Sequence, residues 1–585
     1  MTPRHPIRRR AALTLVVGLA LSLGAAAQPH PPEPATGSTP KQAVSARHEM
    51  VATANPLATD AGYEILRRGG TAVDAAIAAQ MVLNLVEPQS SGIGGGAFLL
   101  VHDARRGKLI AYDGRETAPA AARPDRFLDE TGKPLHFFDA VVGGRSVGVP
   151  GALRMLELAH RRHGRLSWAA LFDPAIRLAA GGFAVSPRLH AEIAAERFLR
   201  QDRARAYFYN ADGTPLAVGQ LRRNPAFAAT LERIAAEGAS AFYTGEIARD
   251  IVSTANEYEA NPGDLTAADL AGYRAVARTP VCSRYRGYKV CSMPPPSSGG
   301  IAVLQILGVL QRFDMKSIGS SALMSAHLFS EAGRLAYADR SAYVADPDFV
   351  APLPALLDRG YLRERSQLIQ LDASIGRASA GKPPATAAGN GAFGEDDALE
   401  FPSTSHVSIV DRYGNAVAMT TTIENAFGSR LMTAGGFLLN NELTDFSFVP
   451  VRDGRPVANR VEGGKRPRST MAPTIAYDAR GRVALVVGSP GGAAIINYVA
   501  KTLIGVLDWG LNPQAAVDLP NIGSRNGPVD LERGTSAAAL APKLNALGDA
   551  TRIVDQTSGL QLIVRVPGGW RGAADPRREG TVRGD

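Results

Sequence analysis

The composition of the chain changes abruptly at residues 374–397, and this change constrains the fold more than any other feature of the sequence. The part before it, from about residue 153 to residue 278, is rich in alanine and has mostly helical patterns, whereas alternating strand-like patterns follow it. The segment itself is rich in Ala, Gly, Pro and Ser, which predicts an exposed, mobile linker. Helices and strands alternating over the chain predict a layered α/β arrangement.

The residues directly after this linker predict a β-hairpin. Residues 405–410 alternate between outward and inward positions, residues 411–415 form a turn that contains Gly414, and residues 416–422 form the return strand. Other expected elements are strands at 436–439, 474–477 and 483–487, and helices at 61–66, 72–79 (capped by Thr71), 301–310 and 494–507.

The N-terminus has the pattern of a signal peptide over residues 1–27. Arg8, Arg9 and Arg10 precede an apolar run at 11–23, and small residues at 25–27 offer a cleavage site. A retained membrane anchor is the alternative, although the run is shorter than the ~20 residues that a spanning helix needs. Residues 28–44 are rich in proline and predict a disordered leader. The protein is therefore expected in the periplasm or outside the cell, without a stable membrane span.

Charge and cysteine content narrow the classes of partner. The formal net charge is +9, but basic residues form no extended block, which argues against a nucleic-acid-binding surface. His and Cys show no metal-ligand spacing, so no metal is expected. The two cysteines, Cys282 and Cys291, flank a predicted hairpin that turns near Arg286 and Gly287. An oxidising compartment favours a disulfide between them, and two free buried thiols are the alternative.

Thr404 occupies an unusual position, because it stands between a predicted exposed linker and the first strand of a hairpin. If the peptide bond between Ser403 and Thr404 were cleaved, Thr404 would carry a free α-amine beside its own hydroxyl. An α-amine has an ordinary pKa of ~7.7–8.0 and can remove the proton that makes a hydroxyl a weak nucleophile. The local pattern by itself favours a threonine that merely begins a strand, where threonine is common.

A family resemblance decides between these readings. The chain resembles the γ-glutamyltransferases of the N-terminal-nucleophile hydrolase superfamily in a series of motifs that follow one another in the same order from about residue 45 onward. These motifs are 69–76 (GGTAVDAA), 94–98 (GGGAF), 113–116 (DGRE), 148–151 (GVPG), 294–300 (PPPSSGG), 337–341 (YADRS), 404–411 (TSHVSIVD) with 414–418 (GNAVA), 439–446 (LNNELTDF), 465–471 (KRPRSTM) and 488–492 (GSPGG).

The resemblance implies an αββα sandwich and self-cleavage before Thr404 into a large subunit (45–403) and a small catalytic subunit (404–585). It implies that Thr404 is the nucleophile, that Thr422 hydrogen-bonds its hydroxyl, and that Gly491 and Gly492 bind the oxyanion.

The other implied residues bind the substrate. They are Arg115, Ser469 and Thr470 for the α-carboxylate and Asp445, Glu442 and Glu424 for the α-ammonium. The implied donors are glutathione and other γ-glutamyl compounds, the acceptors are amino acids, dipeptides or water, and no metal or organic cofactor is required.

Several positions depart from the pattern, and two other functions remain open. Glu424 and Glu442 stand where some members carry amides, and Thr470 stands where many have Ser. Residues 447–464, where the family varies in the length of a lid, leave the balance of transfer and hydrolysis undetermined. A related acylase that cleaves glutaryl amides is one alternative, but Asp445 disfavours it because glutaryl has no ammonium. An exported binding protein for γ-glutamyl peptides, without self-cleavage, is the other.

Overall fold

The computed structural model describes residues 33–384 and 393–585. The predicted signal peptide lies outside these residues, as do residues 385–392 of the predicted linker. Within the described ranges, no helix combines the length and apolar character that crossing a membrane requires.

The strands, in chain order, are β1 Val44–Ala46, β2 Met50–Thr53, β3 Gly96–Asp103, β4 Lys108–Gly114, β5 Phe183–Ala184, β6 Leu221–Arg222, β7 Val276–Arg278, β8 Val281–Tyr285, β9 Tyr288–Ser292, β10 Ser405–Val410, β11 Ala416–Thr422, β12 Val451–Arg452, β13 Arg455–Pro456, β14 Thr474–Tyr477, β15 Val483–Gly488, β16 Ile522–Ser524, β17 Val529–Glu532, β18 Thr551–Val554, β19 Gln561–Val566, β20 Gly569–Ala574 and β21 Thr581–Gly584.

The α-helices are α1 Pro56–Arg67, α2 Ala72–Val86, α3 Phe137–Val141, α4 Ala152–His163, α5 Asp173–Gly181, α6 Pro187–Ala195, α7 Asp202–Phe208, α8 Pro225–Glu237, α9 Ser240–Tyr243, α10 Gly245–Asn256, α11 Ala267–Gly272, α12 Gly299–Leu310, α13 Met315–Ile318, α14 Leu323–Tyr343, α15 Arg359–Gln367, α16 Ile495–Leu507, α17 Pro513–Asp518 and α18 Ala541–Ala546. Short 3-10 segments add Gly144–Ser146, Ala169–Leu171, Pro354–Leu357, Glu442–Asp445, Gly492–Ala494 and Ala538–Leu540.

Two seven-stranded antiparallel sheets form the centre of the fold. Sheet I has the order β21-β2-β10-β11-β3-β4-β7, and sheet II has the order β1-β20-β19-β15-β14-β9-β8. Helices α1, α2 and α4 pack on the outer face of sheet I, helices α12, α16 and α17 cover the outer side of sheet II, and α14 packs on α12. Apolar side chains of β10 and β11 meet those of β15 and β19 between the sheets. The predicted αββα sandwich is therefore confirmed.

The predicted hairpin is confirmed at its predicted bounds. Strands β10 and β11 pair from Ser405↔Thr421 to Val410↔Ala416. Asp411 organises the turn, because its side chain accepts hydrogen bonds from the backbone N–H groups of Tyr413 and Asn415. The same carboxylate accepts the N–H of Ala72, which ties the turn to the start of α2.

The remaining predicted elements are mostly confirmed, with longer bounds. Thr71 caps α2 through its side chain, as expected. The predicted strand at 436–439 is wrong: this segment forms only an isolated bridge between Met432 and Leu438. Gly436 adopts a positive φ of 80°, and its carbonyl accepts a hydrogen bond from Asn224, so the segment packs on the start of α8 instead of joining a sheet.

Two segments that were expected to be exposed are anchored where the structure describes them. In the predicted disordered leader, Glu33 is buried, Lys41 donates to the carbonyls of Asp575 and Arg578, and Val44 begins β1. Buried ion pairs, hydrogen bonds and strand pairing thus join Glu33, Lys41 and Val44 to the rest of the fold, while most of residues 34–40 are exposed. In the predicted linker, Asp396 is buried and pairs with Arg468, so this end of the linker is anchored at Asp396, whereas Glu395 and Asp397 are exposed.

Cys282 and Cys291 face each other across the β8–β9 hairpin and form a disulfide in the structure. The turn between these strands lies at Arg286 and Gly287, both with positive φ. The disulfide joins the two strands at the far edge of sheet II, away from the hairpin that begins at Ser405. The disulfide therefore links the two strands at this edge and takes no part in the site described below.

Candidate active site

Thr404 lies at the mouth of the β10–β11 hairpin. Because Ser405 pairs with Thr421, the residue before β10 stands opposite the last residue of β11, which is Thr422. The hydroxyl of Thr404 donates to Oγ1 of Thr422 at 3.1 Å, and Thr422 also accepts the backbone N–H of Glu424 at 2.9 Å. Both threonines are buried. The register of one hairpin thus brings the two predicted hydroxyls together.

The backbone of Thr404 is in an unfavourable conformation in the uncut chain. Its φ is +93°, in a region that a β-branched residue rarely enters. Residues held in such regions carry a conformational cost of about 1–3 kcal/mol, and they persist only where the surrounding structure imposes them. The peptide bond that precedes Thr404 therefore lies at a strained point of the chain.

The loop after β15 contacts the carbonyl of that same peptide bond. The N–H of Gly491 donates to the carbonyl oxygen of Ser403 at 3.3 Å. Gly491 and Gly492 both have positive φ, and a Cβ on Gly492 would lie 2.2 Å from the carbonyl oxygen of Phe401. Glycine is required here because the backbone must approach so closely. Thr470 holds the loop, since its hydroxyl donates to the carbonyl of Gly492 at 2.8 Å.

Arg115 lies fully buried on the opposite wall of the site. Its guanidinium donates to the carboxylates of Glu442 and Asp445 and to the backbone carbonyls of Pro467 and Arg468. Burial alone would lower the pKa of Arg115, but the two carboxylates outweigh that effect and raise it. The guanidinium is therefore a permanent positive charge whose fork already binds carboxylates.

Carboxyl groups outnumber the one guanidinium of Arg115 in its surroundings. Burial, together with neighbouring carboxylates, raises the pKa values of Glu116, Glu424 and Asp445 well above their ordinary range. When ionised, Oε1 of Glu424 and Oδ1 of Asp445 accept no hydrogen bond from the described residues. A cation that enters this site would find free acceptor oxygens and would favour the ionised carboxylates.

One small cavity joins these groups. It is lined by Arg115, Glu400, Phe401, Thr404, Thr422, Glu424, Glu442, Asp445, Ser469, Thr470, Met471, Gly492 and Ile495, and its volume is about 20 Å³. This is close to the space that a single water needs. The chain just before Thr404 contributes Glu400 and Phe401 to the walls, so the uncut chain has no room for an amino-acid-sized substrate.

The cavity is thus lined by all of the predicted catalytic and substrate-binding residues except Gly491. Gly491 is connected to the site by the hydrogen bond from its N–H to the carbonyl of Ser403. Sequence reasoning did not single out Glu116 and Glu400. Glu116 follows Arg115 directly in a motif, which was an available signal. Glu400 carried no such signal, because its pairing with Arg340 arises only in the folded chain.

His406 is the nearest histidine along the chain, but its contacts point away from the cavity. Its ring hydrogen-bonds to Thr420 and Ser408 and packs against Gly488 between the two sheets. Burial lowers the pKa of His406 to about 3, so the ring is neutral. Its ring contacts between the sheets leave it without a hydrogen bond to the hydroxyl of Thr404, which donates to Thr422 instead.

A group of possible metal ligands lies elsewhere. His327, Glu331 and Asp549 place ligand atoms within 4.8 Å of one another in the described part of the chain. Arg334 donates to Glu331 at 2.8 Å and to Asp549 at 2.7 Å. Because a guanidinium already neutralises these carboxylates, the group is better described as a buried ion-pair network than as a metal centre.

Comparison with known proteins gives a consistent result. The family model for gamma-glutamyltranspeptidase matches residues 58–584. The glutathione hydrolase proenzyme of Bacillus subtilis (strain 168) is 38% identical over 556 residues, which cover 93% of this chain and 92% of the relative. Among solved structures, a cephalosporin acylase from Bacillus halodurans superposes with a TM-score of 0.80 at 28% identity, covering 95% of this chain and 99% of the other. A Helicobacter pylori gamma-glutamyltranspeptidase chain gives 0.55 at 35% identity, covering 61% and 99%.

Proposed function

The chain belongs to the γ-glutamyltranspeptidase family, and from this premise we propose that Thr404 is its nucleophile and that cleavage before Thr404 activates it. The protein is an enzyme that transfers or hydrolyses γ-glutamyl groups. One observation carries the assignment of the residue: the carbonyl of Ser403 accepts the N–H of Gly491 while the adjacent Thr404 hydroxyl is bonded to Thr422. The uncut bond thus occupies the site in the manner of a substrate.

The proposed self-cleavage starts with attack of Oγ1 of Thr404 on the carbonyl carbon of Ser403. The bond from that carbon to the nitrogen of Thr404 breaks, and the proton lost by the hydroxyl ends on this nitrogen. An ester between Ser403 and Thr404 results. Water then hydrolyses the ester, which releases the carboxylate of Ser403 and restores the hydroxyl of Thr404 beside a free α-amine. Relief of the positive φ of Thr404 favours the reaction.

Turnover repeats this chemistry on an external amide. The free α-amine of Thr404 removes the hydroxyl proton, and Oγ1 attacks the γ-carbonyl carbon of the donor. The N–H groups of Gly491 and Gly492 stabilise the oxyanion. The amine product leaves with the transferred proton, and a γ-glutamyl ester remains on Thr404. Water hydrolyses this ester, or the amine of an amino acid or dipeptide takes over the γ-glutamyl group. Glutathione is the donor suggested by the relatives named glutathione hydrolase.

The charges of the site fit the head group of a γ-glutamyl donor. Its α-carboxylate takes the fork of Arg115, with the hydroxyls of Ser469 and Thr470 beside it. When the donor carboxylate pairs with Arg115, Asp445 and Glu442 no longer need to pair with that guanidinium. They then pair with the α-ammonium of the donor, and Glu424 lies nearby. Since the ligand brings one positive and one negative charge, this exchange leaves the net charge of the site unchanged.

A related acylase activity on glutaryl amides is the second candidate, favoured by the structural likeness to the cephalosporin acylase. The surplus of buried carboxylates opposes it, because a glutaryl group has no ammonium to compensate them. Rates on γ-glutamyl and glutaryl p-nitroanilides separate the two functions. We expect the γ-glutamyl compound to react at least ten times faster, and a faster glutaryl reaction would favour the acylase.

The test of the nucleophile compares Thr404→Ala with Thr404→Ser. The wild type and T404S should each give two bands on a denaturing gel, and N-terminal sequencing of the smaller band should begin at residue 404. T404A should remain one uncut, inactive chain with a thermal unfolding midpoint that shows it is folded. A T404A protein that is cut and active would contradict the proposal, as would a fully active uncut wild type.

Processing and export extend the proposal to the whole chain. Residues 45–403 would form the large subunit and residues 404–585 the small subunit of one enzyme. Removal of residues 1–27 would deliver the protein to the periplasm or the medium. Cell fractionation, together with N-terminal sequencing of the larger band, tests both statements.

A further inference from the structure

A group of buried charged side chains lies behind Thr404, on the side away from the cavity. It consists of Glu33, Glu87, Arg188, Glu192 and Arg578, all at most 5% exposed, and is called the anchor cluster below. Its members come from distant parts of the sequence: the leader, the end of α2, helix α6 and the C-terminal region. The reaction described above uses none of these residues.

The anchor cluster holds the peptide that follows the nucleophile from both sides. Nη1 of Arg578 donates to the carbonyl oxygen of Thr404 at 3.3 Å. The hydroxyl of Ser405 donates to Oε2 of Glu87 at 2.6 Å. After cleavage Thr404 has no covalent bond on its amino side. The orientation of its α-amine and hydroxyl then depends on the contacts that fix this peptide.

Glu33 is the carboxylate that joins the two arginines of the cluster. Its Oε1 accepts from Arg188, its Oε2 accepts from Arg578, and Oε2 also accepts the hydroxyl of Thr557 at 3.0 Å. Burial would raise the pKa of Glu33, but the two guanidiniums outweigh it and lower the pKa. Burial instead raises the pKa of Glu87 to about 6. Glu33 is therefore the member of the cluster best able to stay ionised near neutral pH.

We propose that Glu33, in the segment after the predicted signal peptide, is a positioning residue that holds Arg578 against the carbonyl of Thr404 and so orients the nucleophile. The inference rests on the proposed function of Thr404. Without the charge of Glu33, Arg188 and Arg578 repel each other across a buried space, and Arg578 no longer stays at the carbonyl of Thr404. If Glu33 has this role, the mature protein must keep the chain from residue 33 onward to be fully active.

The experiment compares Glu33→Gln with Glu49→Gln in the full-length chain. Glu49 is an equally buried carboxylate that binds Arg412, but it lies beside the opposite end of β10. We expect E33Q to slow self-cleavage and to lower kcat on γ-glutamyl p-nitroanilide at least tenfold, with KM within twofold of the wild type. E49Q should keep both rates within twofold. Equal behaviour of E33Q and E49Q would overturn the inference.

A second variant separates positioning from general stabilisation. Arg578→Met removes the contact to Thr404 but leaves the Glu33–Arg188 pair. If Glu33 acts through Arg578, R578M should lower kcat as much as E33Q, and the double variant should be no slower than R578M. Additive losses, or an R578M protein with wild-type kcat, would show that Glu33 acts elsewhere. If E33Q does not accumulate as folded protein, Glu33→Asp replaces it, with a smaller loss expected in the same parameters.

The failure of this inference is distinguishable from failure of the proposed function. An inactive, uncut T404A protein together with an E33Q protein of normal rates would overturn the role of Glu33 alone. An active T404A protein would overturn the nucleophile itself.

Discussion

At the scale of single residues, the proposed cleavage before Thr404 would make the chain the first substrate of its own site. The groups proposed to act on an external amide lie against the bond between Ser403 and Thr404 in the uncut chain. Glu400 and Phe401 form part of the cavity wall in the uncut chain. The same three residues, Thr404, Thr422 and Gly491, would then serve processing and turnover, so changes at them should affect both rates in parallel.

Replacement of Thr422 by Val tests this coupling. Valine has nearly the same shape, but it cannot accept the hydroxyl of Thr404 or the N–H of Glu424. We expect self-cleavage and kcat each to fall roughly 10–100-fold, because a buried hydrogen-bonding group left without its partner costs about 1–3 kcal/mol, with little change in KM. Thr421→Val is the matched control, because the hydroxyl of Thr421 bonds to the carbonyl of Gly96 instead. A T422V protein with normal processing and slow turnover would separate the two reactions.

Replacement of Asp445 by Asn tests the recognition of the donor ammonium. A hydrogen bond to a charged group contributes about 1.5–3 kcal/mol, which corresponds to a loss of roughly 10–100-fold in kcat/KM for γ-glutamyl p-nitroanilide. The glutaryl analogue has no ammonium and should lose less than threefold. Glu424→Gln should give a smaller loss, because Glu424 does not contact Arg115. Equal losses on both substrates would mean that Asp445 acts through Arg115 alone.

At the scale of secondary-structure elements, local patterns predicted what local forces determine. The hairpin from Ser405 to Thr422 was predictable because alternation and the turn at Gly414 are both encoded within it. The segment at 436–439 has a strand-like composition, but Asn224 on a distant helix determines its conformation. The roles of Glu33 and Glu400 were equally hidden, because burial beside a distant arginine leaves no trace in the neighbouring sequence.

Helix α16 places Lys501 inside the protein, and this gives a prediction about stability and pH. Lys501 donates to the carbonyl of Leu519 and to Asn521, and it borders a cavity of about 140 Å³. Burial lowers the pKa of Lys501 to about 7 from 10.5. Between pH 7 and about 10 the unfolded chain therefore binds more protons at this residue than the folded chain, so rising pH favours folding. This gain is lost progressively as pH falls from about 10 to 7, and it is absent below pH 7, where the folded and unfolded chains both bind the proton.

The variant Lys501→Met removes this titration and leaves other groups in place. The difference in unfolding free energy between wild type and K501M should grow in favour of the wild type from pH 7 to pH 10. Its slope should be at most about 1.4 kcal/mol per pH unit. Unfolding midpoints of the two proteins over this range provide the measurement. A difference that is constant with pH would show that Lys501 is charged in the folded state.

At the scale of the whole molecule, the proposed cleavage divides a fold whose sheets need both products. In sheet I, β10 of the small subunit pairs with β2 of the large subunit, and β11 pairs with β3. In sheet II, β14 pairs with β9, and β20 pairs with β1. In both sheets, strands of each product therefore pair with strands of the other product. The apolar layer between the sheets also contains side chains from both products.

Because exposed strand edges and a divided core are costly, the two subunits should behave as one folding unit after cleavage. We expect the cut enzyme to elute from a sizing column at the size of the uncut T404A chain, even after dilution to nanomolar concentration. Urea should separate and unfold both subunits in one transition, followed by tryptophan fluorescence and by the sizing profile. Trp168 belongs to the large subunit, and Trp509 and Trp570 belong to the small one. The variant W168F therefore reports on the small subunit alone, and the double variant W509F/W570F reports on the large subunit alone. Two transitions, or subunits that separate in native buffer, would mean that the interleaved strands do not couple the stability of the products.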